Sequence, residues 1–279
     1  MPVVLAGVLN LTPDSFSDGG RFSSVESAVA AGLAMVEDGA HWIDVGGEST
    51  RPNSTAVSAE EEIRRVIPVV EGLARQLAGR ARISVDTYKA ETARAALAAG
   101  ATVINDVSGG SLDPTILTVA AQGGATIVLG HLRGQPATMM TDIHFDDVVA
   151  DVASELGRTV QAARAVGCRD IWVDPGIGFG KTLQHNLLLL AHLGMLREKL
   201  GLPMMVGVSR KRFLGDLSGQ PVDQRTFATA AAVTAAVLAG ADAVRVHDVK
   251  EMRDVVCVAE AIAGVRLDRE KNYNVPRNG

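Results

Sequence analysis

Eight short apolar runs, each ending on a polar residue able to donate, accept or coordinate, constrain this chain more than any other feature. The runs lie at residues 3–9, 42–45, 83–85, 102–104, 126–129, 171–173, 204–208 and 243–246. They lead into Asn10, Glu48, Asp86, Asn105, His131, Asp174, Ser209 with Lys211, and His247. Short, continuously apolar runs suit strands buried on both faces of a parallel sheet. The Ala- and Leu-rich stretches between them are long enough for crossover helices. Alternation of strand and helix implies an α/β domain, and eight such units close a (β/α)8 TIM barrel. In that architecture the C-terminal strand ends form the working face.

At 279 residues the chain has the length of one such barrel. A single barrel domain over residues 1–266 is expected, followed by a polar, disordered tail at 267–279. A second repeated element supports like units: a helix ends in Gly and a small residue before the next strand, at Gly39, Gly100, Gly124, Gly167 and Gly240. Glycine is favoured at the left-handed position just past a helix, because it has no Cβ to clash.

A net charge of −5 without a basic stripe speaks against nucleic-acid binding. No apolar helix reaches the ~20 residues of a membrane span; the most apolar, residues 227–240, is expected as a buried barrel helix. Cys168 and Cys257 show neither disulfide nor metal spacing and are expected as buried thiols. The start MPVVLAGVLN lacks the basic segment of a signal peptide, so a cytoplasmic protein is expected. Two connections after strands, residues 11–24 and 49–58, exceed the ordinary length of a strand-to-helix loop and are candidates for function.

Asp86, Asn105, Asp174 and Lys211 place two carboxylates, a carboxamide and an ammonium at strand ends. That set suits a flat heterocycle with a guanidine-like edge, where a carboxylate accepts paired N–H bonds and Asn both donates and accepts. A second set is suited to phosphate: Asn10, Arg245, His247 and the run Ser209-Arg210-Lys211-Arg212. Asn10 is also a hard oxygen donor for Mg²⁺ held mainly by diphosphate and water. DPGIGFGKT ends in Gly-Lys-Thr, but Pro175 stands where a phosphate loop requires its first Gly. A sharp turn after the strand delivering Asp174 is the better reading. His131 either lines the pocket or caps its strand; His144, His185 and His192 receive no role.

GVLNLTPDSFSDGG, DVGGESTRP, SVDTYK, INDVSGG, DPGIGFGK, GVSRKRFLG and VRVHDV, in that order, resemble the motifs of dihydropteroate synthases over nearly the whole chain. The resemblance implies a barrel enzyme of folate synthesis that joins 4-aminobenzoate to hydroxymethyl-dihydropterin diphosphate and releases diphosphate. By motif, Asp86, Asn105, Asp174, Lys211 and Arg245 bind pterin, with Asp86, Lys211 and Arg245 catalytic. Asn10, Arg245 and His247 hold diphosphate, with Mg²⁺ on Asn10. Asp14, Ser15 and Phe16 of the first loop and Thr50, Arg51 and Pro52 of the second close over the site. Phe179, Ser209 and Arg212 receive aminobenzoate. The resemblance further implies a homodimer through outer helices and inhibition by sulfonamides.

Two positions depart from the family pattern. Gly130 stands where relatives commonly carry a pocket Met, so that either Met139 or Leu129 fills the gap or the ligand is held more loosely; Arg212 stands where many have Ser. A non-catalytic pterin binder and a pterin-dependent methyl-transfer domain are the competing expectations, the first supported by Gly130, the second weakened by the intact SRK and TRP strings.

Overall fold

The computed structural model describes residues 2–11, 24–50 and 54–273, with side chains to residue 265. Eight strands alternate with helices: β1 Val4–Asn10, β2 Trp42–Gly46, β3 Arg82–Asp86, β4 Val103–Asp106, β5 Thr126–Gly130, β6 Ile171–Asp174, β7 Met205–Gly207 and β8 Ala243–Val246. The described helices are α1 Val25–Glu37, α2 Ala59–Leu77, α3 Ala90–Ala98, α4 Thr115–Gly123, α5 Val148–Ala165, α6 Leu183–Ala191, α7 Leu193–Leu200, α8 Arg212–Ser218, α9 Thr226–Leu238 and α10 Val249–Tyr273. All strand pairings are parallel, in the order β6-β5-β4-β3-β2-β1-β8-β7. A parallel bridge between Val173 and Met204, with Val173 N donating to Pro203 O at 3.0 Å, joins the two ends and closes the barrel.

The five helix-to-strand corners expected from sequence all occur, with φ of 110°, 112°, 61°, 98° and 93° at Gly39, Gly100, Gly124, Gly167 and Gly240. Each repeats one hydrogen-bond pattern: the glycine N–H reaches three residues back, and the next N–H reaches five back, as in Ala101 N to Ala96 O at 2.9 Å. This is the Schellman closure, which satisfies helix-end carbonyls that otherwise lose their partners.

Side chains alternate along each strand. Outward residues such as Leu5, Ile43, Val45, Ile83, Ile104, Leu129 and Val244 are buried against helix residues Val66, Val70, Leu73, Leu156 and Val233 in one continuous core. Full burial of each such side chain contributes about 1.5–3 kcal/mol. Inward residues Ala6, Trp42, Val103, Val128, Met205 and Ala243 form a separate cluster within the lower barrel, with Val4 and Trp172 packed on it. Trp42 and Trp172 meet edge to face at 5.1 Å, and the Arg82 guanidinium lies 5.2 Å from the Trp42 ring centroid. Arg82 also donates to Thr102 O at 2.9 Å and Thr126 Oγ1 at 2.6 Å, plugging the N-terminal end.

Three expectations require correction. α10 continues through Tyr273, past residue 267, because a helix backbone tolerates a polar sequence once its earlier turns are docked; Met252, Val256 and Ala259 anchor it in the core. Cys168 is buried, its thiol donating to Leu117 O at 3.2 Å, but Cys257 is exposed on α10. α9 is buried on one face only, and Phe227 is 89% exposed. Among the described residues no helix is long and apolar enough to cross a membrane.

Candidate active site

Because inward positions recur every second residue, the upper barrel receives Asp44 from β2, Ser84 and Asp86 from β3, Asn105 from β4, Asp174 from β6 and Arg245 from β8. Register sets their levels: Asp44 lies opposite Ser84, while Asn10, Gly46, Asp86 and Asn105 follow one another across β1 to β4. The apolar lower barrel therefore gives way to a polar throat at the C-terminal face.

Arg245 organises that throat. Its Nε donates to Asp44 Oδ2 at 2.5 Å and its Nη2 to Asp86 Oδ2 at 2.6 Å. Asp44 also accepts from Asn105 Nδ2 at 3.0 Å and from Ser84 Oγ. Asp44 was not a candidate from sequence, since it lies inside an apolar run rather than at its end. Its signal was parity: in WIDVG, Asp44 shares a face with Trp42 and Gly46.

Burial opposes the Arg245 charge, but Asp44 and Asp86 together drive its pKa above the ordinary arginine value. Burial pushes the Asp86 carboxyl up to about 7, against the Arg245 charge and with the help of Asp44. Asp174 is likewise raised by burial, opposed by Lys211 and by Gly176 N, which donates to Asp174 Oδ1 at 2.7 Å. Lys211 is lowered to about 8 by burial, opposed by Asp174. Its ammonium donates to Ile177 O and stands 4.5 Å from the Phe179 ring centroid.

Asn105, Asp174, Lys211 and Arg245, with Val107 and Phe179 as apolar walls, line a single pocket open to solvent. Its remaining lining is glycine: Gly130, Gly176 and Gly207. Gly130 is not a lost side chain. A Cβ there would lie 2.7 Å from both Cα and O of Val107, so main chain already fills the space. Met139 packs with Val107 and Leu132 beside Phe179, whereas Leu129 belongs to the outer core and fills no gap in the pocket.

Asp86, Asn105, Asp174, Lys211, Arg245 and Phe179 are thus brought together as expected. Asn10 ends β1 across from Gly46, at the rim of the same throat. Ser209 is buried and bound to His247, accepting from His247 N at 3.2 Å and lying 3.0 Å from His247 Nδ1. Thr50 is half-buried beyond β2. Phe16, Arg51 and Pro52, with Asp14 and Ser15, lie outside the described residues. Arg212 is not brought in: its side chain is 81% exposed and pairs with Asp216 at 3.8 Å along α8. A helix start directs it outward while Lys211, one residue earlier, turns inward.

His131 neither lines the pocket nor caps its strand. It is buried between Glu155 of α5, 2.9 Å from Nε2, and Lys181 Nζ, 2.9 Å from Nδ1. Lys181 also donates to Phe179 O at 3.0 Å, holding the turn that carries Phe179. Burial lowers His131 to about 4 and Lys181 to about 7. The Gly-Lys pair read as a turn from sequence is therefore a turn with a buried lysine at its base. The connection from β5 to α5, residues 131–147, is also long and folds over Gly180; its length was not singled out from sequence.

Residues 6–247 match the family described as pterin binding enzyme. The dihydropteroate synthase of Synechocystis sp. is 46% identical over 259 residues, covering 92% of this chain and 89% of the relative. The Yersinia pestis dihydropteroate synthase, solved with a sulfonamide drug complex, superposes with a TM-score of 0.89 at 40% identity, covering 94% of this chain and 95% of that one. The Xanthomonas albilineans dihydropteroate synthase, solved with 4-aminobenzoic acid, gives a TM-score of 0.86 at 46% identity, covering 94% of this chain and 93% of that one. With the polar throat, the pocket and agreement along nearly the full length of both chains, this sequence belongs to the dihydropteroate synthase family.

Proposed function

We infer that the protein condenses 6-hydroxymethyl-7,8-dihydropterin diphosphate with 4-aminobenzoate, giving 7,8-dihydropteroate and diphosphate in folate biosynthesis. The observation that carries this reading is the convergence of Asp174, Asn105 and Lys211 on one pocket whose floor holds Arg245 between two buried carboxylates. Asp174 is suited to accept paired N–H bonds from the guanidine-like edge of a pterin, and Asn105 to read its ring edge. Arg245 and His247 supply donors where negative charge builds on a departing diphosphate, which is where electrostatic stabilisation lowers a barrier most.

No nucleophilic side chain is required. Diphosphate leaves first, the conjugated ring spreads the positive charge, and the neutral aromatic amine attacks the exocyclic carbon. Asp86 stabilises the cation from the throat, and Phe179 forms an apolar wall for the aromatic amine. The two long loops exclude water that would capture the cation. The amine is weakly basic, so it needs alignment rather than deprotonation before attack; once the C–N bond forms, the acidified nitrogen releases its proton to the departing diphosphate or to water.

Among the described residues no group of three or more His, Cys, Asp or Glu side chains is arranged to hold a metal. That fits Mg²⁺ carried by diphosphate oxygens and water, with the Asn10 carboxamide as protein contact. When bound, the ion supplies charge neutralisation at the leaving oxygens.

We also propose a homodimer. The support is exposed apolar side chains on two outer helices that pack together: Val258, Ile262 and Val265 at helical spacing along α10, and Phe227 in the first turn of α9. Sedimentation of the wild type and of Phe227→Glu tests it, a monomeric wild type refuting it. A cytoplasmic setting belongs to the same reading, supported by two free thiols.

Purified protein with both substrates and Mg²⁺, followed by measuring dihydropteroate and diphosphate together, tests the activity. Equal appearance of the two products is expected. Tight pterin binding without product would refute the synthase.

A further inference from the structure

The three cations after β7 are separated by the fold: Lys211 faces the pocket, Arg212 faces solvent, and Arg210 turns inward to a different partner. Arg210 has φ 59°, the left-handed region, which a residue with a Cβ occupies only where its surroundings over-determine it. Those surroundings are explicit. Arg210 N donates to Oγ1 of the fully buried Thr229 at 3.1 Å. Arg225 Nη1 donates to Arg210 O at 3.0 Å and Lys211 O at 3.3 Å, while its Nε donates to Gln220 O at 3.0 Å. The guanidinium occupies space at Gly215 where a Cβ would lie 2.2 Å from Nη2.

The Arg210 side chain reaches Asp248 in a bidentate pair, Nε to Oδ2 at 3.0 Å and Nη2 to Oδ1. Asp248 immediately precedes α10, where an aspartate ordinarily caps the helix, yet both of its oxygens accept from Arg210. The neighbouring residues Ser209 and His247 are bonded to each other. Two consecutive residues after β7 are therefore tied to two consecutive residues after β8.

We propose that Asp248 and Arg225 are positioning residues for the reaction: they fix the left-handed turn at Arg210, and through it the spacing between Lys211 in the pocket and His247 at the end of β8. Arg210 is then an internal strut rather than a substrate cation. This rests on the synthase reading only in the roles given to Lys211 and His247.

The test compares wild type, Asp248→Asn and Arg225→Lys by steady-state kinetics, thermal melting and calorimetric titration with the pterin diphosphate. Both variants are expected to lose on the order of 100-fold in kcat/KM for the pterin substrate, the effect of a misplacement of about 1 Å. The aminobenzoate KM stays within about twofold in each, because Phe179, the wall given to the amine, is held by Lys181 rather than by this turn. In calorimetry, Lys211→Met and the double variant Lys211→Met/Asp248→Asn are expected to bind pterin diphosphate equally, since Asp248 acts through Lys211. A lower melting midpoint with unchanged kcat and KM overturns the proposal, as do losses that multiply in the double variant. Arg225→Lys carries the test if Asp248→Asn does not fold. A wild type that binds pterin but makes no product refutes the synthase reading, while the calorimetric comparison still decides the positioning.

Discussion

Replacing Asp44 with Asn removes one buried negative charge while keeping the shape of the side chain. In the wild type that carboxylate accepts from Arg245 at 2.5 Å, from Asn105 at 3.0 Å and from Ser84. Arg245 is then left with Asp86 as its one carboxylate partner among these contacts. Removing one member of a buried ion pair costs about 3–5 kcal/mol, and the isosteric change belongs at the lower end, about 3 kcal/mol. At roughly 2–4 °C per kcal/mol for a large domain, the melting midpoint falls by about 6–12 °C. A second effect concerns Asp86, which burial and the Asp44 charge hold at about 7 against an ordinary 3.8. The raised value means that Asp86 contributes stability that is full below its unfolded pKa and lost as pH rises through about 7. Asp44→Asn removes the like charge, so the Asp86 pKa falls and that loss occurs at lower pH. Scanning calorimetry from pH 4 to 8 measures both effects. A midpoint change below about 2 °C with an unshifted pH dependence would show that Asp44 does not carry the Arg245 charge.

Lys211→Met removes an ammonium whose pKa burial lowers to about 8, so stability from this group in the wild type rises with pH between about 8 and 10.5. At pH 7 the variant is expected to be more stable by about 1–3 kcal/mol, discounted because the side chain is only partly buried, while pterin diphosphate affinity falls on the order of tenfold and stays measurable; a less stable variant with unchanged pterin affinity refutes this. Gly130→Ala forces a Cβ against the Val107 main chain and is expected to destabilise by about 1–3 kcal/mol, read by denaturant titration, an unchanged midpoint being the contrary result. Arg212→Ala removes an exposed residue paired along its own helix and is expected to change stability by less than about 0.5 kcal/mol, with the aminobenzoate KM essentially preserved. A rise in that KM of about tenfold or more would restore Arg212 to the site.

The strand pattern and the residues ending each strand were legible because buried parallel strands write themselves as apolar runs, and Asp86, Asn105 and Asp174 interrupt those runs at their ends. Asp44 escaped because reading runs by their ends ignores the two-residue alternation within them. The inward turn of Lys211 and the outward turn of Arg212 differ by one residue at a helix start, which composition does not encode. Arg210 was legible only as one cation of a run suited to phosphate, and its true partner was not: Asp248 is 38 residues away, and the left-handed turn joining them arises from Thr229 and Arg225 on other elements. Lys181 was discounted with the phosphate-loop reading, although a lysine inside a Gly-rich turn has few ways to remain solvated. The continuation of α10 to Tyr273 was hidden because helix propagation needs a docked beginning more than an apolar end.

The tryptophan pair and Arg82 at the foot of the barrel make it a cul-de-sac. Reactants enter and products leave by the same C-terminal doorway, and a seat closed at its foot favours the bicyclic reactant entering ahead of its aromatic partner. An inert pterin analogue should therefore raise affinity for aminobenzoate, whereas aminobenzoate alone should find little to hold it.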